Sequence, residues 1–588
     1  MDNKKIKIVS IISIIALALT LVAATYAYFV AQTGEGAQTD IKINANTVDT
    51  FTFEVGSALN LSLNQENFAS GKGNQTGTTF AKAMLSANNK TNTATEHYYL
   101  YLNISNNTFT YSIDNNTPEI LLSIKDGSNN EITSVSGLTY KTVTDGKGAS
   151  IKGFDITTKK GLVTILNNRE ITTTSSKTEQ WNVTVTFVNY NSNQAGNAGK
   201  NFTAKLMIQK EKILTLAEHV ISQYTGTQGD NALYYHNSSL TNGAGDNSYR
   251  YAGGDYVLTD AGKATGATMM IGYNNSVTTA LIDFYCNGTK QFVGYGCSSS
   301  QTHYYLIKGD TTQYQTYNEV LNASVEKGYL TKDNVKNFVC FGTDASPCPT
   351  ENLYRIIGVF NNQVKLVKWD YAKSSLLGTD GDFSREYTNY YFSGEQGESP
   401  SSNSLYYWNN AGTNTWSESN LNKINLNTNF VNNIGTTWAE KIATTTWKVG
   451  GGSLDNIETS VPKAAYQYEV GSSASTTTYD AKIGLMYVTD YYYGASPSAW
   501  TLVGYNESDA TKDYRFSKGE NWLYGGGWDW TISRNSDTSD RAFLVDRDGY
   551  VFSGGVRYND GVRPSFNLLS STTYVSGSGS MSDPVRVN

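Results

Sequence analysis

His97–Ser105 (HYYLYLNIS) and Trp181–Val188 (WNVTVTFV) decide the fold of the first third of the chain. In the first stretch Tyr98, Leu100, Leu102 and Ile104 fall on one side of an extended backbone, and Tyr99, Tyr101 and Asn103 on the other. In the second, Trp181, Val183, Val185 and Phe187 alternate with Asn182, Thr184 and Thr186. A period of two is the mark of a strand with one face buried, because successive side chains leave a pleated backbone on opposite sides. Phe202, Ala204, Leu206 and Ile208 give a last strand of the same kind. Polar turns such as Asp114-Asn115-Asn116 and Gly127-Ser128-Asn129 separate the runs. Many short strands joined in this way predict an antiparallel β-sandwich over residues 28–210.

Working outward, 588 residues are too many for one core. At roughly 100–200 residues per domain the chain holds about three to four. Lys+Arg 45 against Asp+Glu 52 leaves a net charge of −7, with no basic excess for a phosphate backbone, so no nucleic-acid partner is expected. Charged residues are 16% of the chain, below the ~25% of an average soluble protein. Mean hydropathy is nevertheless −0.41. The polarity comes from Asn, Ser, Thr and 53 Gly, set among 42 Tyr, 21 Phe and 10 Trp. That aromatic content excludes bulk disorder, and the composition is that of extracellular β-proteins and of binding surfaces.

The N-terminus carries Lys4, Lys5 and Lys7 ahead of the apolar run Ile8–Ala24 (IVSIISIIALALTLVAA). A basic segment before such a run is an export signal, and the run is at the lower limit for a membrane span. Thr25-Tyr26-Ala27 places small residues where a signal peptidase reads them, for cleavage after Ala27. Residues 1–27 are therefore expected to be a signal peptide or, if retained, an N-terminal membrane anchor. No other segment is expected to meet the membrane, and the remainder is expected outside the cell.

In residues 211–254 the run KILTLAEHVISQY (212–224) sets Ile213, Leu216, Ala217, Val220 and Ile221 on one helical face. A Gly/Asn/Asp-rich stretch follows and reads as a linker. Residues 255–350 read as a small module containing all four cysteines, Cys286, Cys297, Cys340 and Cys348. An even count in an exported chain indicates disulfides. Local pairing, Cys286 with Cys297 and Cys340 with Cys348, closes short loops; the second is worth roughly 2.5 kcal/mol in the chain-entropy model. Zinc is disfavoured, since no Cys-x-x-Cys spacing occurs and the four histidines are scattered.

Residues 351–588 open with Leu353–Phe360, Asn361-Asn362 and Gln363–Trp369, which read as a β-hairpin whose asparagines tolerate the left-handed turn. Ser417 and Ser419 are candidate caps for a helix carrying Leu421, Ile424, Phe430 and Ile434, and Trp438 and Ile442 indicate a second. Strands are then expected at Ile483–Thr489, Trp500–Gly504 and Ala542–Asp546. This order predicts an α+β domain.

Two resemblances add to this reading. Ala24-Thr25-Tyr26-Ala27-Tyr28-Phe29, with the later runs Gln180–Val188 and Asn201–Gln209, resembles the TasA/camelysin family of secreted matrix proteins. The resemblance covers about 180 residues through short motifs. It implies a jelly-roll-like sandwich, a dedicated signal peptidase as partner, and deposition at the cell surface or in a matrix; only Thr25, Ala27 and Phe29 carry over residue by residue. Trp530-Thr531-Ile532-Ser533-Arg534, then Arg541–Val545, Asp548-Gly549 and Gly561–Leu568 (GVRPSFNL) resembles the close of the C-type-lectin-like fold, in the branch with formylglycine-generating-enzyme-like domains. The match is strong over the last 60 residues. It marks Trp530, Arg534, Gly561 and Arg563 as structural and implies ligand contacts on long loops. The catalytic cysteine pair of the enzymatic relatives is absent, because no cysteine follows Cys348.

Histidine is also missing after residue 350, so acid–base work would fall to Asp529, Asp537, Asp540 or Asp546. Asp380-Gly381-Asp382 and Asp546-Arg547-Asp548 lack the roughly six to eight oxygen ligands of a calcium loop. No enzyme activity, metal or cofactor is expected. What remains is the run NWLYGGGWDW (521–530), rigid aromatics among flexible glycines, and Arg557-Tyr558-Asn559 before the Gly-x-Arg strand. Tyr524, Trp528, Asp529, Arg557, Tyr558 and Asn559 are the expected ligand-binding residues. The fold class expected is multidomain and β-rich, an N-terminal antiparallel β-sandwich (jelly-roll-like) plus a C-terminal α+β C-type-lectin-like domain over 351–588. The function expected is binding of an extracellular glycan or protein by an exported bacterial surface protein. A structural matrix or fibre subunit, and a surface hydrolase using loop carboxylates, are the alternatives.

Overall fold

The computed structural model describes residues 49–68, 72–88, 93–267, 281–291, 301–315, 317–331, 335–394 and 397–588. Ala27, with the cleavage site, and Cys297 lie outside the described residues. The chain is β-rich, with its strands in several separate sheets. It divides between Ile213 and Leu214 into two compact units.

Among the described residues, ten strands build the N-terminal unit: β1 Thr50–Val55, β2 Leu59–Ser62, β3 Gln75–Ser86, β4 Ala94–Asn107, β5 Ile120–Asp126, β6 Tyr140–Thr144, β7 Ser150–Asp155, β8 Gly161–Thr173, β9 Ser176–Phe187 and β10 Asn201–Gln209. They form an antiparallel six-stranded sheet, β1-β3-β9-β5-β7-β6, and a four-stranded one, β2-β10-β4-β8. The alternation read in the sequence supplies the shared core. Tyr98, Leu100, Leu102 and Ile104 come from one sheet, and Trp181, Val183, Val185 and Phe187 from the other. Tyr101 departs from the pattern. It stands on the opposite face from this core yet is only 1% exposed, because the chain beyond β10 returns over it and the Ile213 amide donates to Tyr101 Oη at 2.9 Å.

A polar chain ties the two sheets together. Trp181 Nε1 donates to Tyr98 Oη at 2.8 Å, and Tyr98 Oη donates to Glu179 Oε2 at 2.7 Å. Arg169 grips both oxygens of Glu179 at 3.1 Å. Trp181 and Glu179 lie on β9, whereas Tyr98 and Arg169 lie on β4 and β8 of the other sheet. Burial alone would raise the Glu179 carboxyl, but hydrogen bonds from Arg169, Tyr98 and Lys177 outweigh it and hold the group below its ordinary 4.5. A carboxyl depressed by folding stabilises above its unfolded value and loses that contribution as pH falls through the folded one. Glu179→Gln is therefore expected to lose about 1–3 kcal/mol at pH 7 in urea denaturation. The gap from wild type should narrow as the pH drops below 4.5.

The C-terminal unit centres on a seven-stranded antiparallel sheet. Its order is β11 (Leu233–Tyr235), β12 (Tyr249–Tyr251), Leu353–Phe360, Gln363–Lys368, Pro564–Asn567 and Ile483–Leu485, with Phe338–Cys340 pairing beside β12 on Leu353–Phe360. The hairpin turn is the expected one, with Asn361 and Asn362 at φ 49° and 64°. The Gly/Asn-rich stretch read as a linker instead supplies β11 and β12. The preceding helix, Leu216–Ser222, is closed by a Thr215/Glu218 capping box and buries Leu216, Ala217 and Val220 in the main core. Buried anchors such as Tyr251 and Leu233 outweigh the local turn composition.

The helical segment Leu421–Phe430 starts where Asp382 accepts the Leu421 amide at 2.8 Å and Ser419 Oγ accepts that of Asn422 at 3.2 Å. Two strand expectations fail locally. Ile483–Thr489 pairs only as far as Leu485 and turns into the helix Val488–Gly494, whose start is fixed by the Asp490 carboxylate on the Tyr487 amide. Trp500 lies in the short helix Pro497–Thr501, begun by Pro497, whose fixed φ suits a first helical turn. The Cys340–Cys348 bridge is present, with Cα atoms 5.9 Å apart. Cys286 ends the strand Ile282–Cys286. Among the described residues no helix is long and apolar enough to cross a membrane.

Candidate functional site

The strands Asp529–Arg534, Arg541–Val545 and Val551–Gly555 form a three-stranded antiparallel sheet. The aromatic–glycine run leads into its first strand, and Arg557–Asn559 leaves its last. Trp530 is buried in the main core and donates Nε1 to the Tyr406 carbonyl at 2.9 Å. Arg534 Nε donates to the Gly450 carbonyl at 2.9 Å. Gly561 donates to the Trp528 carbonyl at 2.9 Å, and a Cβ there would come within 2.4 Å of the Tyr371 ring. Only a residue without a side chain permits that approach. Arg563 is buried, its Nε donating to Asp529 Oδ2 at 2.6 Å and its Nη2 to the Leu523 carbonyl at 2.6 Å. Gly561 and Arg563 thus bind the loop to the strands around it, while Trp530 and Arg534 anchor the first strand.

The structure separates the six expected ligand contacts into two groups. Tyr524 is buried, its hydroxyl donating to the Arg547 carbonyl, and Asp529 is buried against Arg563. Neither presents contact area at the surface, which corrects the reading of both as exposed loop residues. The cause is local. Glycines 525–527 fold the loop down onto Tyr371, with the Gly527 amide donating to Tyr371 Oη at 3.2 Å. Trp528 is half-buried, its Nε1 donating to Asp546 Oδ2 at 2.7 Å and the Arg547 guanidinium 5.1 Å above its ring. Arg557 and Tyr558 are exposed, and Asn559 pairs with Tyr407 at the edge of another strand. Asp537 and Asp540 stay in solvent on the turn between strands.

Near the loop, two buried aspartates act on a third. Burial pushes Asp529 up to about 6 despite Arg563, and raises Asp546. Burial, with the Asp546 and Asp529 charges, pushes Asp560 up to about 7. Among the described residues Asp529 Oδ1 and Asp560 Oδ2 have no hydrogen-bond partner. Among the described residues no three His, Cys, Asp or Glu side chains are arranged to hold a metal.

Sequence reading missed a second feature, a polar groove of about 670 Å³ lined by His219, Gln223, Asp230, Tyr251, Lys336 and Tyr574, among others. Its lining comes from residues 219–251, 336–356 and 574–585, which no local motif joins. No protein-family model matches the chain, and no curated protein matches it.

The raised value of Asp560 makes a signed prediction. Its neutral form is favoured by folding, so its contribution is full below its ordinary 3.8 and is lost as pH rises toward and through 7. Asp560→Asn is expected to stabilise the protein at pH 8 by on the order of 2 kcal/mol and to flatten the decline of stability between acid and neutral pH. Thermal unfolding over a pH series checks this.

Proposed function

We propose that the chain is an exported surface protein. In this reading the N-terminal unit is a jelly-roll-like β-sandwich serving as spacer, and the C-terminal unit is a C-type-lectin-like head that binds an extracellular glycan or protein. The observation that carries the reading is the Arg557–Tyr558 turn. Tyr558 is 53% exposed, yet its ring lies over the backbone of Gly554 and Gly555, where no side chain lifts it away. Arg557 is pinned beside it by hydrogen bonds to the Asn410 and Ala411 carbonyls at 3.0 and 3.1 Å. An exposed aromatic already held in place loses little conformational entropy on binding, the property that makes Tyr an anchor in binding surfaces. Of the four carboxylates of the hydrolase alternative, Asp529 and Asp546 are buried, at 1% and 7% exposed, which leaves it Asp537 and Asp540 in solvent.

Glycan-array and protein-pulldown binding by the full chain is the test. Tyr558→Ala is expected to weaken binding at least about tenfold, a loss of ~1.4 kcal/mol, with an unchanged circular-dichroism spectrum. Binding that survives both Tyr558→Ala and Trp528→Ala would refute the reading.

A further inference from the structure

The groove in the C-terminal unit has the make-up of a ligand site. Its floor includes Val220, Tyr251 and Ile356, all buried, and its walls come from the helix Leu216–Ser222, the Gly229–Ala232 turn and the strand Tyr574–Ser576. Its volume falls within the ~300–1,000 Å³ of small-molecule sites. One wall is held under strain, with Asn231 and Ala232 both at positive φ, 55° and 59°. An alanine there is uncommon, and consecutive left-handed residues without glycine persist only where the surroundings enforce them.

Three donors facing this space have no acceptor among the described residues. Tyr251 is 4% exposed, and its carbonyl accepts Trp522 Nε1 at 3.0 Å, but its phenol hydroxyl makes no hydrogen bond among the described residues. Lys336 is exposed, and its ammonium forms no ion pair or hydrogen bond there. His219 stacks on Tyr574, ring centroids 3.6 Å apart and planes 7° from parallel, leaving its imidazole nitrogens unused. Burial holds that imidazole below its ordinary value, so it is neutral at pH 7 and offers one N–H. The Asp230 carboxylate is already engaged by the Thr225 hydroxyl. A hydroxyl, an N–H and one ammonium call for an oxygen-rich anion of single charge. The stacked His219–Tyr574 pair offers a flat aromatic surface for the C–H face of a sugar ring.

We propose that this groove binds a saccharide carrying one carboxylate. Lys336 pairs with the carboxylate, Tyr251 and His219 donate to ligand oxygens, and the aromatic rings support the sugar. The site uses none of residues 521–560, so it stands or falls apart from the Tyr558 reading.

Calorimetric titration of the full chain with glucuronic acid, glucose and acetate tests it. Glucuronate is expected to bind saturably and at least about tenfold more tightly than glucose or acetate. Lys336→Gln and Tyr251→Phe should each lower its affinity about tenfold. Lys336→Gln removes only the charge and Tyr251→Phe only the hydroxyl, and circular dichroism verifies their fold. Absence of saturable glucuronate binding, undiminished affinity in either groove variant, or acetate or glucose binding as tightly as glucuronate would overturn the proposal.

Discussion

The buried ion pair of Arg563 with Asp529 is the constraint on which the candidate site depends. Arg563 is 3% exposed and Asp529 1%, so both charges have left water. Their mutual attraction, with the hydrogen bond from Arg563 to the Leu523 carbonyl, has to offset that desolvation. The guanidinium spans two elements, the strand that Asp529 opens and the aromatic–glycine loop that Leu523 belongs to. Placing one planar cation between them fixes how the loop descends over Tyr371, and therefore which of its aromatics stay at the surface. Removing one partner of such a pair leaves a buried charge alone, at about 3–5 kcal/mol.

The N-terminal unit uses the same device on a smaller scale. Glu179 is gripped by Arg169 and Tyr98 across two sheets, so a polar chain fixes the register in which the apolar faces meet. The two carboxylates differ in sign of response. Glu179 has enough donors to remain charged, whereas Asp560 lacks them and is pushed toward its neutral form. Donor count at the carboxylate and depth of burial together separate the outcomes.

Much of this architecture was legible in the sequence where the signal is local. The alternation at 97–105 and 181–188 named the core faces because a strand with one buried face leaves a period of two. Asn361-Asn362 named its turn because asparagine tolerates the required backbone. Reading failed where tertiary partners override composition. The Asn/Gly stretch before Tyr251 looks like a linker, yet buried Leu233 and Tyr251 draw it into the main core. Tyr524 and Asp529 looked exposed because glycine-flanked loops are usually outside, but Tyr371 and Arg563, distant in sequence, draw them in. Tyr101 looked half-exposed for the same reason. The groove was invisible because Tyr251, Lys336 and Tyr574 share no motif. The one local hint was His219, placed in a helix whose neighbours are apolar.

Hydrogen–deuterium exchange of residues 521–528, compared between wild type and Arg563→Met at neutral pH, tests the central claim most directly. If the buried pair positions the loop, the variant loses amide protection across 521–528 while the hairpin at 353–368 keeps its own. Equal protection of the loop in both proteins would contradict the account, because the loop would then be held by contacts that do not involve Arg563.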